Sequence, residues 1–289
     1  MSGPLRPSPM DSLTRVFVVA MAAVTLAHAG EVPAAPWLLA ADVLVLLLLA
    51  LLDRARPTSR IAAVAALWYP FLLIPAYYAQ LGVIGLAVAH VRDAAVQGWE
   101  ASLLGGPLSV TWRQRMPSPL LSSVLHLCYF AHYFVFMGVP LWLYVRAGRE
   151  ACERALFAIT LAFYVCFLTS AFFPVAGPWY AYPRPTGPAA TVGPARLVHA
   201  VLQAGSSYGT AFPSSHVAAS WVAVLMAFRD ARRLATALLP VIAGLALGTV
   251  YGQFHYAVDA LAGAAVALAC YAAADPLRIR LASPRRAPA

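Results

Sequence analysis

The sequence predicts an all-α, polytopic integral membrane protein, a helical bundle of about eight transmembrane helices, and three observations predict it. Of 289 residues, 62% are hydrophobic and only 11% charged, where a soluble domain carries roughly a quarter. The mean hydropathy is +0.74. Apolar stretches long enough to cross a bilayer recur along the whole chain, and the charges lie between them. Every cation among those charges is an arginine, because the chain contains no lysine.

The expected spans are residues 13–30, 36–53, 61–82, 121–145, 155–173, 213–228, 234–252 and 256–274. The third holds Pro70 and Pro75, which predict a kink or an extension past Gly82. Residues 1–29 also loosely resemble a secretory signal: Arg6 and Arg15 precede a short apolar run and Ala27-His28-Ala29. A retained first span is the preferred reading, and the orientation downstream is the same either way. No soluble second domain and no clear repeat is evident. The expected organisation is an N-terminal tail with two additional spans (1–59), a membrane domain (60–275) and a basic tail (276–289).

Arginine placement predicts the orientation. With the N-terminus in the cytoplasm, the inner segments hold Arg6, Arg15, Arg54, Arg56, Arg60, Arg146, Arg149, Arg154, Arg229, Arg232, Arg233, Arg278, Arg280, Arg285 and Arg286. Only Arg92, Arg113, Arg115, Arg184 and Arg196 fall outside. The positive-inside rule then places both termini in the cytoplasm, in the plasma membrane. The net charge of +9 is a topological signal with some affinity for anionic headgroups. Without a basic stripe interleaved with aromatics, it does not predict a nucleic-acid partner. Apolar surface that faces lipid leaves the oligomeric state open. Cys128, Cys166 and Cys270 fall within spans and Cys152 beside an inner arginine cluster. Neither a disulfide framework nor a metal site is expected of them.

Two histidine motifs carry the chemistry. Ala211-Phe212-Pro213-Ser214-Ser215-His216 opens the sixth span, and Tyr251-Gly252-Gln253-Phe254-His255-Tyr256-Ala257-Val258-Asp259 opens the eighth. Both fall on the extracytoplasmic side, with the long loops 174–212 and 91–118. His255 and Asp259 are i, i+4 and share a helix face. There a carboxylate can fix the imidazole tautomer and leave the other nitrogen nucleophilic. An ionisable group inside an apolar span marks function by default, although a structural His–Asp tie is the bland alternative. Ser214 and Ser215 can cap the first turn before His216, where free N–H groups make an anion site. A histidine there is placed to protonate a leaving oxygen; a plain cap is the alternative. Gly244, Gly248 and Gly252 make a small-residue stripe, which either draws the two histidine helices together or serves ordinary packing.

Weaker candidates line up behind these. His126, Tyr129, His132 and Tyr133 on the fourth span either line a headgroup pocket or form a helix-contact network. Asp93 and Glu100 lie in an outer segment, where a solvated face competes with contacts to a polyol. His28, His90 and His199 carry no pattern. Trp37, Trp68, Trp112, Trp142 and Trp179 fall near expected span ends, as interfacial anchors do.

Together the motifs resemble the phosphatidic acid phosphatase type 2 superfamily, which implies a six-helix lipid-phosphatase-like core. Pro213, Ser214 and His216 match its P-S-x-H motif, and His255 and Asp259 its H-x-x-x-D motif. The longer strings Ala-Phe-Pro-Ser-Ser-His and Phe-His-Tyr-Ala-Val-Asp resemble the inositol phosphorylceramide synthase branch. So do Phe173-Pro174-Val175-Ala176-Gly177-Pro178 and Glu100-Ala101-Ser102-Leu103-Leu104-Gly105-Gly106-Pro107. The likeness spans roughly residues 60–275 and implies that His255 takes the phosphoryl group, oriented by Asp259. His216 would protonate the departing group and activate the acceptor. Neither metal nor other cofactor is implied. Two departures stand out: Gly177 occupies the place of the first motif's lysine, and Thr249 that of an arginine six residues before His255. Arg184, followed by Pro185, is left as the candidate cationic phosphate ligand, with Ser214 and Ser215 beside it; a plain loop arginine is the alternative. A clamp short of cations leans toward a monoanionic diester over a dianionic monoester.

The expected function is therefore headgroup transfer between membrane lipids through a phosphohistidine. Hydrolysis of a lipid phosphate such as phosphatidate or a polyprenyl phosphate, with water as acceptor, is the second reading. A non-enzymatic transporter or assembly subunit is the third, and ionisable residues gathered at the helix ends, away from the midplane, speak against it. The soluble vanadium haloperoxidases share the histidine motifs but not the spans.

Overall fold

The computed structural model describes residues 7–88 and 90–282. Arg6, Arg285 and Arg286, with the ends of both expected tails, lie outside the described residues. The chain is all-α. Its helices are α1 (Pro9–Ala27), α2 (Ala35–Ala55), α3 (Arg60–Trp68), α4 (Pro70–Val88), α5 (Asp93–Leu104), α6 (Leu108–Arg115), α7 (Pro119–Phe130) and α8 (His132–Ala147). They continue with α9 (Arg149–Phe172), α10 (Pro178–Ala181), α11 (Pro188–Thr191), α12 (Gly193–Gly205), α13 (Ser215–Asp230), α14 (Arg232–Tyr251) and α15 (Ala257–Ala282).

Among the described residues six helices, α1, α2, α4, α9, α14 and α15, are long and apolar enough to cross a membrane. The pair α7 and α8, bent by 43° at Ala131, makes a seventh. The expected fourth span is thus broken within the string that carries His126 to Tyr133. The expected third span divides at Tyr69, and α4 runs on to Val88 with Pro75 inside it. The expected sixth span is α13, whose 16 residues cover about 24 Å, less than the hydrocarbon thickness of about 30 Å. This short helix is the hub of the bundle, packed on α8, α9, α14 and α15.

Local chemistry sets the boundaries. Ser8 and Asp11 form a capping box at the start of α1, and Ser59, Ser118 and Ser214 cap α3, α7 and α13, each satisfying a backbone N–H that the first turn leaves free. Gly105, in the left-handed region at φ 77°, ends α5. Leu44, Leu47, Ile61, Leu72, Leu86, Leu120 and Phe134 are exposed on the outward faces, and polar groups turn inward. Asp42 accepts from Tyr77 (2.9 Å) and from Gln80, which also donates to Thr25. Apolar outside and satisfied polar groups inside is the distribution a bilayer imposes.

The two ends of the bundle differ. One is laced by ion pairs: Arg15 with Asp53, Arg56 with Asp11 (2.7 Å), Arg154 with Asp230 (3.0 Å), Arg229 with Asp275, and Arg278 with Glu150. The other carries the short helices α5, α6 and α10 to α12, and both motif histidines.

Candidate active site

Four segments meet at the histidine end, held by backbone hydrogen bonds. Val175 donates to Gly209 and Ala211 donates to Val175, tying 173–178 to 209–212. The Ser214 N–H donates to the Asp259 carbonyl (3.0 Å), which joins the start of α13 to that of α15. Gly263, one turn further along α15, lies so close to α13 that a Cβ there would stand 2.5 Å from the Ser214 carbonyl oxygen.

This approach brings the imidazoles of His216 and His255 together, with ring centroids 5.8 Å apart. His255 is buried, and its Nδ1 lies 2.9 Å from the Ala211 carbonyl oxygen. A carbonyl only accepts, so Nδ1 carries the proton and Nε2 keeps its lone pair. Asp259 stands at 3.5 Å from the same Nδ1, and its closer bond is from the Tyr256 N–H at 2.8 Å. The carbonyl is thus the nearer partner of the tautomer, and the carboxylate mainly fixes the backbone turn that carries the imidazole. Burial lowers the His255 pKa to about 4, so its neutral, nucleophilic form prevails at neutral pH.

His216 lies between Tyr129 and His132, 5.2 and 4.5 Å away between ring centroids. Its Nε2 is 3.3 Å from the Tyr129 hydroxyl. His132 faces Ser220 at 2.9 Å. A small cavity of about 30 Å³ opens onto both motif imidazoles. Its other polar lining is Tyr78, Tyr129, Tyr180, Ser206, Ser207 and Thr210, and it holds no guanidinium.

The remaining candidates fall elsewhere. Ser214 and Ser215 are buried in the cap of α13 and do not line this cavity. His126 sits beyond Phe254, its Nδ1 bonded to the Ser122 carbonyl. Arg184 stacks on Trp179, its guanidinium carbon 3.4 Å from the ring centroid. It lines a neighbouring cavity of about 250 Å³ that shares no lining residue with the first.

Both departures from the cationic clamp have a physical reason. Gly177 has φ 86°, and a Cβ there would meet the Ala211 Cβ at 2.8 Å, so no lysine fits. Thr249 is buried, and its carbonyl accepts the N–H groups of Phe254 and His255.

The expectation of a solvated face for Asp93 and Glu100 is corrected: both are buried. Asp93 accepts from the N–H groups of Ala176 (2.8 Å) and Gly177 (2.9 Å) and from the Tyr256 hydroxyl. Glu100 accepts the Ala257 N–H at 2.8 Å through one of its carboxylate oxygens. The glycine stripe of α14 is reassigned too. Gly244 and Gly248 abut Cys128 and Leu125 of α7, so it is Gly263 that lets the histidine helices close.

Burial raises the Glu100 pKa, so its ionised form is penalised while its carbonyl-like oxygen is needed. Glu100→Gln is expected to match or exceed the wild-type melting temperature. Glu100→Leu, which strands a buried N–H, is expected to cost about 1–3 kcal/mol; thermal unfolding of the two variants checks this.

Of the hydroxyl lining, sequence reasoning singles out Tyr129 and misses the rest; it also singles out nothing at Arg113, which lines the neighbouring cavity with Arg184. Ser206, Ser207 and Thr210 form a polar run just before the first histidine motif, which was a usable signal. Tyr78 and Arg113 are distant in sequence and carried none.

A family model described as the PAP2 superfamily matches residues 94–273. That segment contains both histidine motifs, the two buried acids of α5 and the loop with Arg184. No curated protein and no solved structure matches the chain.

Proposed function

The chain belongs to the PAP2 superfamily, whose members are generally phosphatases or phosphotransferases, and from that premise we propose that it transfers a phospho-headgroup between membrane lipids. The observation that carries this reading is the cavity at the two imidazoles, rich in hydroxyls and without a guanidinium. A dianionic monoester calls for cations, whereas hydroxyl donors suit a monoanionic diester. The strings shared with the inositol phosphorylceramide synthase branch support the same class.

In this mechanism the His255 Nε2 attacks phosphorus, an N–P bond forms and the P–O bond to the leaving group breaks. His216, protonated, gives its proton to the departing oxygen. The acceptor hydroxyl then returns a proton to His216 as its oxygen attacks phosphorus and the N–P bond breaks. Ala211 and Asp259 hold the His255 ring through both steps. The arginine-rich end of the bundle would face the cytoplasm of a plasma-membrane enzyme, with the reaction on the opposite side.

Hydrolysis is the second reading, since the hydroxyl-lined cavity at the two imidazoles can equally present a water as acceptor. Purified protein in bilayers, given radiolabelled phosphatidate or phosphatidylinositol with and without ceramide or diacylglycerol, separates the two. Label appearing in a new lipid only when acceptor is present is the expected result. Release of free phosphate alone would replace transfer with hydrolysis.

A further inference from the structure

Arg113, on α6, is the most unusual charge in the molecule. It is 6% exposed, yet no carboxylate pairs with it among the described residues. Its Nη2 lies 3.5 Å from the His126 Nε2, which can only accept because the His126 Nδ1 donates to the Ser122 carbonyl. The Tyr251 ring stands 5.3 Å from the guanidinium carbon. Nε and Nη1 are buried without a partner. A guanidinium stays charged in proteins, and an unpaired buried charge costs several kcal/mol.

Arg113 lines the cavity of about 250 Å³ that also receives Arg184 and Gln253. Arg184 likewise has no carboxylate partner, and stacking on Trp179 leaves the in-plane N–H groups of a guanidinium free to bind. His199 senses both cations: burial first, then Arg113 and Arg184, lowers its pKa to about 4. Two guanidiniums therefore line one cavity, and among the described residues no carboxylate lines it. Trp179 and Phe254 line the catalytic cavity on the other side.

We propose that this second cavity is an oxyanion site for a phosphate group, held by Arg113 and Arg184 beside the histidine pair and separate from it. In the headgroup-transfer reading, on which only this last step rests, the site would hold an anionic group of the donor or acceptor lipid while the reacting phosphorus sits at His255. A cavity of this size admits a phosphate with part of its alcohol, and guanidinium groups are well suited to phosphate oxygens.

The test uses the full chain carrying His255→Ala, so that binding is read without turnover. Its melting temperature is followed against inorganic phosphate and, separately, against water-soluble dioctanoyl phosphatidate. A saturable rise is expected, with the apparent affinity at least tenfold weaker in Arg113→Gln and partly restored in Arg113→Lys. Arg115→Gln, one exposed arginine away, is expected to bind as the parent does. Without ligand, Arg113→Gln should melt higher than its parent, since it removes an uncompensated charge. Arg113-dependent binding of phosphatidate identifies a lipid headgroup as the occupant, and such binding of inorganic phosphate alone identifies the free ion. Equal affinity in Arg113→Gln, or no saturable shift with either probe, overturns the proposal. Either result stands whether or not the lipid assay detects transfer.

Discussion

His255→Ala is expected to abolish turnover, lowering kcat by at least about 10⁴-fold, the scale on which loss of an enzyme's nucleophile is felt. The reason lies in the tautomer. The Ala211 carbonyl at 2.9 Å and the Asp259 carboxylate at 3.5 Å both face Nδ1, so only Nε2 offers a lone pair to phosphorus. Rapid quenching of wild-type protein with labelled lipid should trap acid-labile, base-stable label on the chain, and His255→Ala should trap none. His216→Ala should behave differently. Its loss removes the proton that an alkoxide needs in order to leave, but a nitrophenolate needs no such proton. Label should therefore still form from a nitrophenyl phosphodiester and fail to form from the natural lipid. Full activity in His255→Ala would remove it as nucleophile.

The two variants also bear on stability to different extents. His255→Ala leaves the Ala211 carbonyl without its donor in a buried place, at a cost of about 1–3 kcal/mol. His216→Ala removes a buried Nδ1 without a partner but also takes the His216 Nε2 from the buried Tyr129 hydroxyl, so a smaller fall is expected. Melting temperatures of the two variants, set beside their activities, separate lost chemistry from lost structure.

How much of this was legible in the sequence depends on the range of the interaction. Composition alone carries the all-α membrane class, because a bilayer permits few other architectures. Hydropathy places most helix ends to within about four residues, misses by about six to eight at Val88, Arg149 and Ala282, and does not show the break at Tyr69 or the bend between α7 and α8 at Ala131. The motif histidines are legible as a pair because each follows a turn signal at a helix start, and the structure puts their rings 5.8 Å apart. His216 lies in the first turn of α13, and His255 in the turn just before α15, so it does not share a helix face with Asp259 as its spacing predicts. The roles of Asp93 and Glu100 were not. Spacing marks them as polar residues of an outer helix, and only the folded chain shows them taking N–H groups from Ala176, Gly177 and Ala257. Arg184 was chosen for its place after the Gly177 segment, yet Trp179 draws it into the neighbouring cavity. Arg113, its partner there, is about seventy residues away in sequence, too far for any local pattern to join them.

Gly263→Ala is the substitution expected to do most damage for least change. The added methyl would stand 2.5 Å from the Ser214 carbonyl oxygen and 3.1 Å from the Val217 Cβ. Neither neighbour can yield cheaply. Ser214 caps α13 and donates its N–H to the Asp259 carbonyl, and Val217 is fully buried. The two helices must therefore part by about 1 Å, an overpacking strain of about 1–3 kcal/mol. Because His216 rides on α13 and the turn carrying His255 leads into α15, the same displacement opens the catalytic pair. A misplacement of that size costs about 10²-fold in rate. The expected outcome is a lower melting temperature together with a hundredfold fall in kcat, while phosphate still binds at Arg113, which stands on neither helix. Gly252→Ala is the instructive comparison. Its Cβ would meet the Phe254 ring at 2.3 Å and the Gly248 carbonyl oxygen at 2.8 Å, a clash on a buried ring that lines the catalytic cavity, so activity is expected to fall through Phe254 without α13 and α15 parting. Wild-type kcat in Gly263→Ala would mean that the spacing of α13 and α15 does not set the approach of the two imidazoles.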